Sequence, residues 1–281
     1  MGASEDTIAA NLKSVRERIA AAVARAGRPE GSCRLLAVTK NRTPEEVAAL
    51  ARAGQADFGE NRVQEADRKL PGCRELGVEA TWHLIGHLQR NKVKKALALF
   101  GTVHSVDSVR LLEALAREAE SRGVRPEVFL EVNVSGEESK YGLAPGDVAE
   151  LCERAAGLDS LRLVGLMTMA PFTDDPETAR PFFRALRELR DGLNARGAYP
   201  EALAELSMGM SGDFEGPPRR ARRGSGSAPR SSNDRAAPLF PLSVEIFSTA
   251  GLTTSTDGLV YVAGPASTFQ VPGLRGQEPG A

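Results

Sequence analysis

Cysteine is scarce in this sequence. Cys33, Cys73 and Cys152 are odd in number, far apart and outside any metal-ligand spacing. A disulfide framework is thereby excluded, and a reduced, cytoplasmic compartment is the expectation. An excess of charge of one sign is also missing. The formal net charge is −1, so neither nucleic acid nor an anionic membrane is an expected partner. Aromatic residues make up only 5% of the chain, and the basic stretches contain none to stack on bases. No apolar run approaches the roughly 18 residues of a membrane span. Met1–Asp6 lacks the basic and apolar regions of a signal peptide.

What is present is enough for a core: 41% of the 281 residues are apolar. Asp6–Arg25 reads as a helix with Ile8, Leu12, Val15 and Ile19 on one stripe. Short apolar runs then recur at Leu35–Val38, Trp82–Gly86, Val103–Val106, Val128–Val134, Leu163–Met167 and Leu206–Met210. Ala56–Asn61 is a weaker strand, recognisable by its place in the alternation. Helical stretches such as Pro44–Ala53, Val109–Ser121 and Thr178–Ala195 separate them. Thr43-Pro44-Glu45-Glu46 starts its helix with a capping hydroxyl, a proline and two acids. Strand and helix in alternation imply a parallel sheet wrapped by helices. The fold class is therefore α/β, a (β/α)8 TIM-type barrel with seven countable strands, its eighth missing or replaced.

That pattern fills residues 1–215. Residues 216–281 differ: Gly216–Ser227 is biased toward arginine, glycine, proline and serine and has no apolar period. A disordered, low-complexity tail is the expectation. Leu242–Phe247 and Leu259–Ala263 are short strand-like runs within it.

Reactive groups of such a barrel lie at the carboxyl ends of its strands. Lys40 follows the first strand. It is either a partly desolvated, nucleophilic amine able to condense with an aldehyde, or a lysine leaving a strand into solvent. Asn61 ends the second strand, as a ligand contact or an ordinary turn residue. His83, His87 and His104 are the only histidines. Along a strand His83 and His87 stand roughly 13 Å apart, too far to share a metal, so no metal site is expected. Arg90–Lys95 reads as a solvated helix face. Lys140 lies on a polar loop after the fifth strand, as a second amine near the mouth or a surface residue. Ser207–Asp213 is a strand running into a small-residue loop, which fits a phosphate cup or a tight turn capped by Ser211.

As a set, LLAVTK, FGENRVQEA, WHLIGHLQRNK, VHSVDS, VNVSGEESKYGL, GLMTM and LSMGMSGDFE resemble the pyridoxal phosphate homeostasis family in order and spacing. The resemblance implies a single barrel related to the N-terminal domain of alanine racemase. It implies pyridoxal 5′-phosphate held as a Schiff base on Lys40, in contact with Asn61, His83, Met210, Ser211 and Gly212. Lys140 becomes a second aldehyde-handling amine. The implied role is to store, buffer or deliver the cofactor, with no robust catalytic activity. Apo pyridoxal-phosphate enzymes are the implied partners, and a monomer is expected. A pyridoxal-phosphate amino-acid racemase and a barrel binding a phosphometabolite without covalent attachment are the competing readings.

The resemblance ends at Glu215. The family continues with a helix and an eighth strand of the form V-R-x-G-x-x-I-F-G, whose arginine and glycine help hold the cofactor. Nothing here matches it, and two unpaired sheet edges around an open core are the expectation. Neither strand-like run of the tail is expected to fill the gap well. Displaced by one base, however, codons for Gly216–Asn233 permit AAAEGATWVRVGAAIFE. Residues 216 onward therefore read as the product of a shifted frame.

Overall fold

A computed structural model describes residues 4–137, 141–169 and 179–208, together with the backbone of 243–249. In chain order the elements are α1 (Glu5–Arg25), β1 (Cys33–Val38), α2 (Pro44–Arg52), β2 (Asp57–Glu60), α3 (Val63–Glu75), β3 (Thr81–Leu84), α4 (Val93–Ala96), β4 (Thr102–Val106), α5 (Val109–Arg122), β5 (Glu127–Glu131), α6 (Val148–Ala156), β6 (Arg162–Thr168), α7 (Arg180–Ala195), β7 (Glu205–Met208) and β8 (Ser243–Thr249). Single 3-10 turns sit at Arg90–Lys92 and Pro145–Asp147.

Local chemistry explains the helix starts. Ser4 caps α1, accepting from the Thr7 amide, and Ser108 caps α5 at the Leu111 amide. Thr43 and Glu46 form a reciprocal capping box around Pro44, so α2 begins where its sequence signature places it. At the other end of α5, Gly123 takes the left-handed conformation (φ 64°) that stops a helix without a Cβ penalty.

Strands β1 through β7 pair in sequence order, each parallel to the next. The helices cover the outside, and the larger apolar cluster lies between them and the strands. Inside the barrel a separate cluster of Leu36, Val38, Ile85, Phe129, Val164 and Met167 fills the centre. Two layers of burial in a near-continuous apolar strand are the signature of a parallel sheet covered on both faces.

Closure of the barrel departs from expectation. Strand β8 occupies the seam and pairs antiparallel to both neighbours, Val38 opposite Ser243 and Met208 opposite Ile246. The eighth strand is thus replaced, and the expected open core with unpaired edges on β1 and β7 is corrected to a closed barrel. The physical reason is direction. A parallel eighth strand needs a crossover, usually helical, back to the amino-terminal end, whereas Gly216–Ser227 has no helical period. An antiparallel strand enters from the end where β7 finishes and still satisfies both ladders. The rest of 216–281, Leu259–Ala263 included, lies outside the described residues. Among the described residues no helix is long and apolar enough to cross a membrane.

Candidate functional site

The interior of the barrel carries a connected set of polar side chains besides its apolar cluster. Near the amino ends of the strands Arg34 pairs with Glu205 at 3.6 Å. Asp57 Oδ1 meets His83 Nε2 at 3.3 Å, His83 Nδ1 meets His104 Nε2 at 3.1 Å, and His104 Nδ1 meets Ser207 Oγ at 2.8 Å. Complete burial pushes the His104 imidazole well below the usual histidine range, and the neighbouring His83 adds to this, so His104 is neutral. His104 also stacks on Phe129, ring centres 4.4 Å apart. These contacts run across the barrel interior from β2 to β7; in barrels of this kind ligands sit where the strands finish, at their carboxyl ends.

Lys40 stands at that end. Strand alternation places it on the face shared by Leu36 and Val38, both members of the interior cluster, and it is half-buried. Asn61, also half-buried, follows β2, and its buried Oδ1 has no hydrogen-bond partner among the described residues. A Cβ on Gly86 would overlap the Asn61 carbonyl, so glycine is needed for the β3 exit to pass so near the β2 exit. Ser105 Oγ donates to the Gly86 carbonyl at 2.8 Å and holds that crossing in place.

Glu131 is the group that the sequence reading missed. It ends β5 two residues beyond the inward-facing Phe129 and is only 6% exposed. Its Oε2 has no partner among the described residues. Burial, reinforced by the charge of Asp107, pushes its carboxyl up to about 7. A buried carboxyl carrying an orphaned oxygen is costly in an ordinary core, and here it stands at the mouth. Only alternation from Phe129 could have flagged it.

Around the rim, His87 contacts Asp107 at 3.3 Å and stacks on Tyr141 at 4.0 Å. A cleft of about 380 Å³ lies between Asn61, Arg62, His87 and Lys92. A larger cavity of about 660 Å³ lies at the other end, between α1 and the amino ends of β1 and β2, away from Lys40.

The structure thus brings Lys40 and Asn61 to one end of the barrel. It places His83 in the packed interior with both ring nitrogens engaged, below the mouth. Lys140, Met210, Ser211 and Gly212 lie outside the described residues. Of the basic stretch Arg90–Lys95, Lys95 pairs with Asp67 at 2.6 Å on the outer surface. His83 and His87 share no ligand position, and among the described residues no group of three metal-binding side chains occurs.

The chain matches the family model for the N-terminal domain of alanine racemase over residues 8–224. It is similar to the pyridoxal phosphate homeostasis protein of Aquifex aeolicus, 43% identical over 204 residues, which cover 73% of this chain and 88% of that one. A crystal structure of an unknown protein from Bifidobacterium adolescentis is 39% identical with a TM-score of 0.66, covering 74% of this chain and 86% of the other. The structure of PipY from Synechococcus elongatus with pyridoxal phosphate bound is 35% identical with a TM-score of 0.60, covering 70% and 91%.

Proposed function

Since the chain belongs to the alanine racemase N-terminal-domain family, and within it to the pyridoxal phosphate homeostasis proteins, we propose that it binds pyridoxal 5′-phosphate at the barrel mouth. Lys40 holds the cofactor there as a Schiff base. The protein stores or delivers the cofactor, in the cytoplasm and as a monomer, to apo-enzymes that need it.

The residues of the mouth fit such a group. An aldehyde requires an amine that is partly withdrawn from water, and Lys40 is half-buried on the interior face. A flat ring requires an apolar wall, which Val38, Ile85 and Met167 supply. Polar ring substituents require isolated polar atoms, and Asn61 Oδ1 and Glu131 Oε2 are buried without partners among the described residues. When bound, the cofactor contributes an electrophilic aldehyde and an electron-withdrawing ring. Lys40 Nζ supplies the nucleophile, and release of water accompanies the bond. Met210, Ser211 and Gly212 are assigned to the phosphate and Lys140 to a second amine, on their places in the family motifs.

The observation that carries this reading is the position of Lys40 at the carboxyl end of β1. Incubation with pyridoxal phosphate, borohydride reduction and peptide mass spectrometry test it. The phosphopyridoxyl mass is expected on the peptide containing Lys40 and absent in Lys40→Ala; a label elsewhere, or none, refutes it. Alanine racemisation by the loaded protein is expected to stay at background.

A further inference from the structure

We propose that Glu60, Glu65 and Lys69 form a clamp that positions Lys40 by gripping the backbone on both sides of it, an inference that rests on the cofactor reading of Lys40. The three residues act from the outer side of the barrel wall. They are positioning residues, since none is placed against the cofactor.

Lysine is almost never buried unless paired. Lys69, on α3, is only 7% exposed. Its Nζ donates to the Thr39 carbonyl at 2.5 Å, to Glu60 Oε1 at 2.7 Å and to Glu65 Oε1 at 3.3 Å, so all three ammonium protons are used. Glu60 Oε1 also accepts from Thr39 Oγ1 at 2.6 Å. Glu65 Oε1 also accepts from the Asn41 amide at 2.6 Å. Thr39 is further tied through its own amide to the Gly59 carbonyl at 2.9 Å. The network therefore ends on the residue before Lys40 and on the residue after it.

Asn41 adds a second observation. Its φ of 60° is the left-handed conformation, unusual for a residue other than glycine. The turn is held there by the charged acceptor on Glu65 and is followed directly by the capping box of α2. Strand alternation then sends Thr39 outward to the clamp and Lys40 inward to the mouth. A buried ion pair is a poor device for stability alone, because a well-packed apolar pair often serves as well. What it provides here is a fixed position for one turn, and misplacing a reacting amine by about 1 Å can cost as much as 100-fold in rate.

The test uses the full chain carrying Glu65→Ala, Glu65→Gln and Lys69→Met, with Ser108→Ala as a control that loosens α5 at a distance. Two quantities are read: hydrogen exchange at the Asn41 amide in the apoprotein, and the rate of borohydride-trapped labelling of Lys40 by pyridoxal phosphate. Glu65 is on the surface side of the network, with its side chain 26% exposed, so its variants are expected to fold even where Lys69→Met does not. Glu65→Ala is expected to speed Asn41 exchange and slow trapping, each about tenfold. Glu65→Gln, which keeps an acceptor, recovers most of both, and Ser108→Ala changes neither. Wild-type labelling of Lys40 with an unchanged trapping rate in Glu65→Ala overturns the clamp alone. A wild-type protein that gives no Lys40 adduct overturns the cofactor reading and the purpose of the clamp with it.

Discussion

Replacing Glu131 by glutamine should stabilise the apoprotein, and only on the alkaline side. The carboxyl is 6% exposed, has one oxygen without a partner among the described residues and lies near the charge of Asp107. Its ionised form is therefore disfavoured in the folded protein relative to the unfolded chain. The sign follows directly: between the two pKa values the folded state binds more protons, so stability declines as pH rises. The decline starts near the ordinary value of 4.5 and ends above the folded value of about 7. At about 1.4 kcal/mol per pKa unit, the gap between 4.5 and about 7 amounts to about 3 kcal/mol. Glutamine has the same shape and cannot ionise, so it escapes this loss. Urea unfolding of wild type and Glu131→Gln from pH 4 to pH 9 gives the difference curve. It is expected near zero at the acid end and about 3 kcal/mol in favour of glutamine at the alkaline end. A difference that does not vary with pH refutes the placement of a strained carboxyl at the mouth.

Two further outcomes follow from the backbone. Gly86→Ala drives a Cβ into the Asn61 carbonyl; a loss of about 1–3 kcal/mol is expected in chemical denaturation, together with weaker cofactor binding in a fluorescence titration. A fully stable Gly86→Ala protein would show that the β2 and β3 exits do not cross so closely. For the tail, sequencing the gene across the Glu215 codon is expected to show codons that spell AAAEGATWVRVGAAIFE when displaced by one base. The chain made in that frame is expected to retain the cofactor more tightly than the chain ending as here. An uninterrupted frame whose codons cannot spell that strand removes the idea.

Much of the barrel was legible because strand identity is local. Leu35–Val38, Val103–Val106 and Leu163–Met167 stand out as apolar runs, and β1, β4 and β6 form there. Thr43-Pro44-Glu45-Glu46 announced α2 because a capping box needs only four residues. Helix α3 was less legible because Pro71 stands inside it, where a sequence reading expects a break. Its burial of Ala66, Leu70 and Cys73 holds it as a helix nonetheless. Strand β5 stops at Glu131 rather than continuing through Val134; the Val132 amide still donates to the Met167 carbonyl, and Val132 forms a single bridge with Leu143.

By itself the sequence determined the alternation of strand and helix, the capped start of α2 and the place of Lys40 at a strand end. All of these depend on residues within one or two turns of each other. Tertiary structure decided the rest, because the partners are remote in the chain. His104 reaches Ser207 across 103 positions, and Lys69 grips Thr39 from 30 positions away. The direction of the closing strand and the burial of Glu131 were decided there as well. A polar side chain reads as solvent-exposed until the fold brings up the neighbours that bury or pair it.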